Sequence, residues 1–150
     1  MNIFLETWQW IIIPVLVVII SQFIKVALES RKYGFQWSHM NSYGGMPSSH
    51  TAGFVALALI AGFSSGFESP LFAVTAFISA VFIRDAVGIR WSLGFHGKVL
   101  NQLIHNLPKS EKTGLPHHLQ DRLGHTPKEA LAGAVLGAIL TFILYWFINP

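Results

Sequence analysis

A chain of 150 residues with 52% hydrophobic but only 11% charged residues falls well below the roughly 25% charge of soluble domains, so it reads as a membrane protein. A mean hydropathy of +0.50 agrees. The absence of cysteine excludes a disulfide framework and a thiolate metal centre; the net charge is a modest +3, and no nucleic-acid partner is expected.

In chain order, the first apolar span covers residues 8–28, with the core "WIIIPVLVVIISQFI". It does not read as a cleavable signal, because Glu6 precedes it, no lysine or arginine does, and no small-residue cleavage site follows. The second span, rich in alanine and glycine, covers 49–66, the third 70–89 and the fourth 129–148. A bilayer core takes about 20 helical residues, with about 17 as a lower limit. The outer two spans meet this comfortably and the inner two narrowly. Between the third and fourth lies a polar insertion, 91–124, whose first part, "WSLGFHGKVLNQLIHNL", has the pattern of an interfacial amphipathic helix. The expected architecture is all-α: one domain over 1–150, a polytopic membrane bundle of four transmembrane helices.

All 10 lysines and arginines fall in two regions. Lys25, Arg31 and Lys32 close the first span; Arg84, Arg90, Lys98, Lys109, Lys112, Arg122 and Lys128 lie between the end of the third span and the start of the fourth. With four spans these regions share one membrane face, which the positive-inside rule makes cytoplasmic. Both termini are then expected outside an inner or plasma membrane, where Trp8, Trp10, Tyr145 and Trp146 suit an aromatic belt. Lys25, Arg84, Asp85 and Arg90 sit within or at the edge of apolar runs, where ionisable groups are costly and point to function. Snorkelling to the interface competes as the explanation of Lys25.

Two stretches carry candidate chemistry. In "GGMPSSHTAGF", residues 44–54, Gly44 and Gly45 permit close backbone approach, Pro47 suits a first helical turn, and Ser48 or Ser49 can cap it. Such a helix start is an anion site as well as a cap, with His50 beside it. In "LGHTPKEALAGAVLGA", residues 123–138, Thr126, Pro127 and Glu129 form a capping box with proline at the first helical position. Glu129 also stands four residues after His125, a spacing that suits an oriented nucleophile or base. Gly133 and Gly137 make a small-residue face for close packing, and the exposed helix faces, this one included, make a homodimer an expectation. His96, His105, His117 and His118 lie in the polar insertion and read as water-facing residues rather than metal ligands.

These stretches resemble the type 2 phosphatidate phosphatases, the superfamily that includes vanadium haloperoxidases. "PSSH" at 47–50 is similar to its P-S-G-H element and "GHTPKEALAGAVLGA" to its H-x-x-x-D element. Together with "DAVGIR", they resemble a divergent branch of small bacterial and plant membrane proteins over about residues 25–139. The resemblance implies a cofactor- and metal-free phosphatase in the membrane, acting on a lipid phosphate or pyrophosphate. His125 would be the nucleophile, Glu129 would orient it, and His50 would protonate the leaving oxygen. Ser48 and Ser49 would offer hydroxyl or amide donors to the phosphate.

The family's first element is a lysine, six residues, then arginine and proline. Lys25 matches the lysine, Lys32 and Tyr33 occupy the next two positions, and Arg31 lies one residue off. A second arginine is normal six residues before the nucleophile, where this chain has Leu119. Arg90 is its stand-in, with 91–124 inserted. Lysine for arginine loses the bidentate fork, and glutamate for aspartate adds a methylene. Asp85 is either a structural ion-pair partner or the group that holds Arg90 in place. A non-catalytic lipid-phosphate binder or transporter that keeps the anion site is the alternative.

Overall fold

The computed structural model describes residues 3–34 and 45–149; Gly44 lies outside them. Five helices follow in order: α1 (Ile3–Tyr33), α2 (Ser49–Ser65), α3 (Pro70–Val87), α4 (Ile89–Asn106) and α5 (Pro127–Ile148). α1, α3 and α5 are long and apolar enough to cross a bilayer, and α2 is a shorter apolar helix beside them. The protein is a four-helix membrane bundle, with α4 as a fifth helix outside it.

Local chemistry sets where these helices start. Ser48, Ser69 and Thr126 each turn a side-chain oxygen onto an amide of the first turn, with Pro70 and Pro127 following the latter two. Each such cap contributes about 1 kcal/mol. Pro14 lies inside α1; a membrane helix tolerates it because neighbours supply the packing.

α2 is the hub, touching α1, α3 and α5, while α1 and α5 also meet. The buried stripe of α1 is Gln9, Ile13, Val17, Ser21 and Lys25, one residue per turn along a single i,i+4 row. Facing it, α2 buries Ala52, Ala56 and Ile60, and α5 buries Ala130, Gly133, Gly137 and Thr141. The centre of the bundle is therefore built mostly from small residues, and large side chains such as Phe77, Leu131 and Phe147 point outward. Lipid solvates that apolar exterior, so association rests on close backbone approach rather than hydrophobic burial. The approach is tight: a Cβ at Gly137 would sit 2.6 Å from Ala52 Cα, and one at Gly133 would overlap the carbonyl oxygen of Ser48. The Gly133/Gly137 face thus packs inside the chain. It offers no surface to a second copy, so of the exposed helix faces on which the homodimer expectation rested this one is taken up within the chain.

The two ends of the bundle differ. At one, Asn149 donates to Gln9 at 2.9 Å, and the Tyr145 hydroxyl donates to the Phe63 carbonyl, joining the end of α5 to α1 and to the last turn of α2. At the other end stand Lys25, the start of α2, the α3–α4 junction and the start of α5. Every candidate site residue lies at this second end.

Candidate active site at the polar end of the bundle

His125 is positioned by three elements. Its backbone amide donates to the Ala86 carbonyl at the end of α3, at 2.9 Å. Gly124, just before it, has φ +76, and a Cβ there would lie 2.7 Å from both Ala86 O and Trp91 Cα. Only glycine fits that approach without strain. On the other side the α5 capping box is complete: the Glu129 amide donates to Thr126 Oγ1 at 3.3 Å, and Thr126 N donates to Glu129 Oε2 at 3.0 Å. The same carboxylate oxygen lies 3.4 Å from His125 Nδ1. That is longer than a well-formed hydrogen bond, and Nδ1 has no closer partner. The capping carboxylate thus also faces the imidazole. Nδ1 is the ring nitrogen that faces the carboxylate.

The His125 side chain is only 10% exposed, and burial pushes its pKa below the ordinary 6.5. The Glu129 charge opposes that shift, while the positive charges of Lys25 and His50 reinforce it. Those influences also locate the neighbours. Lys25 from α1, His50 from the first turn of α2 and Glu129 from α5 all lie within electrostatic reach of one ring. His50 is exposed. Lys25 is 3% exposed, and it interacts with Glu29 and Glu129. Lys25 thus packs inside the bundle rather than out along its surface.

The described part of the "GGMPSSH" stretch, residues 45–50, is stapled to the same place. The Ser48 amide donates to the Glu129 carbonyl at 3.2 Å. Ser48 Oγ accepts from the amide and hydroxyl of Thr51 at 3.3 and 2.9 Å, and the Ser49 hydroxyl donates to Gln22 Oε1 at 2.9 Å. Both serine side chains therefore have structural partners, and the cap takes the Thr51 amide, which leaves the Ser49 and His50 amides as the first-turn donors without intrahelical acceptors. Gly45 has φ +92, and a Cβ there would lie 2.8 Å from Lys25 Cε and overlap the Glu29 carboxylate.

Other cations are placed differently. Arg31 and Lys32 are exposed on the last turn of α1. Arg90 Nε donates to Asp85 Oδ2 at 2.6 Å, with its side chain 55% exposed; so exposed a pair contributes about 1 kcal/mol or less. Asp85 holds Arg90 at the α3–α4 junction, one residue from the Ala86 carbonyl that anchors His125. A separate open cleft of about 810 Å³ lies between α4 and the loop after it, lined by Lys98, His105, Lys112, His117, His118 and Asp121. Its histidines are exposed. Buried groups with shifted pKa values mark candidates for function, so His125 rather than that cleft is the candidate site.

Motif reading did not single out Gln22, which fixes Ser49, or Glu29, which lies beside Lys25 and Gly45. Glu29 did have a signal, since it stands four residues after Lys25 on the same helix face.

None of the solved structures matches the chain significantly. The chain is 35% identical over 143 residues to the uncharacterized membrane protein YuiD of Bacillus subtilis (strain 168), covering 87% of this chain and 89% of that protein. The model of the family described as "Divergent PAP2 family" matches residues 7–140, a stretch that contains both histidines, Lys25 and Glu129, and the chain belongs to that family.

Proposed function

We propose that this protein is a metal-independent membrane phosphatase that hydrolyses a lipid phosphate or pyrophosphate through a phosphohistidine. The observation that carries the reading is the buried His125 ring, with Nδ1 turned to Glu129; in the proposed mechanism a proton held on Nδ1 leaves Nε2 free to act as the nucleophile. Nε2 attacks phosphorus, and the bond to the lipid oxygen breaks. His50, in its protonated form, gives its proton to that departing oxygen and releases the lipid alcohol. Now neutral, His50 takes a proton from water as the water oxygen attacks the phosphohistidine, which frees inorganic phosphate and restores both histidines. Lys25 and the first-turn amides of α2 face the charge on the equatorial oxygens; stabilisation of that kind is usually the largest part of catalysis. Arg31, Lys32 and Arg90 supply a basic rim that attracts the anionic headgroup.

The site lies at one end of a membrane bundle, so a headgroup reaches it while the tail stays among the lipids. The charge map makes that end cytoplasmic, in an inner or plasma membrane, with both termini outside. A lipid-phosphate binding or transport role is the second reading. It is favoured by the exposure of Arg90 and its engagement by Asp85, which leave Lys25 as the buried cation of the site.

The test is phosphate release from a panel of lipid phosphates by the purified protein in detergent micelles. His125→Ala is expected to abolish release and phosphoenzyme trapping. His50→Ala should slow release by about 10²–10⁴, the usual range for a lost acid–base group. Equal release by wild type and His125→Ala overturns the nucleophile assignment, and binding without release in the wild type establishes the second reading.

A further inference from the structure

Residues 70–106 form one helical, apolar stretch of 37 residues, interrupted at Gly88. At about 1.5 Å per residue, a straight helix of that length would reach about 55 Å, longer than the roughly 40–45 Å of a whole bilayer. α3, with 18 residues, already fills the roughly 30 Å hydrocarbon core. Gly88 then leaves helical geometry, with φ −98 and ψ −89, so α4 begins where α3 exits the membrane.

α4 touches no helix other than α3 among the described residues. Its Gly94, Gly97 and Asn101 face is covered by the extended strap of residues 119–124. A Cβ at Gly94 would sit 2.9 Å from the Leu123 carbonyl oxygen, and one at Gly97 would overlap that of Gln120. Asn101 pairs with the backbone of Leu119 in both directions at 2.8 Å. Round the rest of its circumference Trp91, Leu93, Phe95, Val99, Leu100 and Leu103 are exposed. The arm of residues 90–124 is basic on balance, with Arg90, Lys98, Lys109, Lys112 and Arg122 against Glu111 and Asp121.

We propose that α4 lies in the lipid–water interface beside the exit of α3, with its Leu93/Leu100/Leu103 face in the acyl boundary and the 119–124 strap on its water side. The occupant of the bare face is an anionic bilayer surface. An apolar face about 5–10 Å deep in the headgroup boundary needs no protein partner. The starting point of α4 is fixed at that boundary by α3, and each basic residue near an anionic surface adds about 1 kcal/mol of attraction. The strap runs from α4 directly into Gly124 and His125, so the depth at which α4 floats sets the height of the His125 ring relative to the headgroups. α4 is a float for the site, a role independent of whether His125 turns over phosphate.

The chain has no cysteine, so single cysteines can be placed at Leu100 and Lys98, both exposed, and spin-labelled in phosphatidylcholine/phosphatidylglycerol vesicles. Leu100→Cys is expected to collide strongly with dissolved oxygen and weakly with a water-soluble nickel chelate, with the reverse at Lys98→Cys; Leu103→Cys should repeat the Leu100 result. Equal nickel access at 98 and 100 would mean that the arm stands in water, and overturns the proposal. Shielding of position 100 from both reagents, with a doubled detergent-corrected mass, would identify a second copy as the occupant and equally overturns it.

Discussion

At His125 two influences act on one imidazole in opposite directions: burial lowers its pKa, and the Glu129 carboxylate raises it. Burial is the larger, so the ring is neutral at pH values where a free histidine would be half protonated. A lowered folded value means that the unfolded chain takes up the proton first. The stability contributed by the neutral ring is therefore fully present above the ordinary 6.5 and is lost as pH falls from there through the folded value. The His125 limb of a pH–rate profile should accordingly fall below 6.5. Glu129→Gln separates the two roles of the carboxylate. Glutamine completes a capping box as glutamate does, so the variant should lose only the helix-end charge effect of about 0.3–1 kcal/mol. Without the opposing charge, the acid limb should move to lower pH while the plateau rate falls. Phosphate release and thermal melts of both proteins across the acid range check this; a limb unmoved in Glu129→Gln would show that the carboxylate serves the helix alone.

Between elements, the decisive contact is α5 against the start of α2. The spacing of Gly133 and Gly137 announced close packing, but small residues in a sequence do not say which helix approaches them. The partner is α2 of the same chain, and its nearest atoms are backbone: Ser48 O and C, then Ala52 O and Cα. Backbone cannot yield as a side-chain end does. Gly133→Ala would place its Cβ 3.1 Å from Ser48 C and against the Ser48 carbonyl oxygen, a clash of the kind that costs about 1–3 kcal/mol. The displaced strand would carry Ser48 away from the Glu129 carbonyl that it bonds at 3.2 Å, and His50 away from His125. Thermal unfolding in detergent should show Gly133→Ala markedly less stable and slower in phosphate release. Leu131→Ala, at a lipid-facing position 66% exposed, should stay within about 0.5 kcal/mol of wild type. Equal melting of the two variants would mean that α2 and α5 adjust freely at this contact.

For the molecule as a whole, the spans were legible because the bilayer dictates their length, and the placing of His50 and His125 at one end of the bundle because each stands at the start of a capped helix with its own motif. The burial of Lys25 was harder to see. It follows from the row Gln9, Ile13, Val17, Ser21 and Lys25, whose mixture of polar and apolar residues does not resemble a core. The strap was illegible for a different reason, since extended chain has no helical period and its anchor, Asn101 on Leu119, spans 18 positions. What the fold leaves to be measured is which way the bundle faces. Gln9 and Asn149 bond at one end and Ser65 closes α2 toward the turn at that same end, whereas His117 belongs to the loop at the other. With all 10 basic residues on the His117 side, insertion should leave that side in the cytoplasm. In the cysteine-free chain, Ser65→Cys should react with an impermeant maleimide added to intact cells, and His117→Cys only after the membrane is opened. The reverse pattern would turn the phosphate site to the outside and require its substrate to be drawn from the outer leaflet.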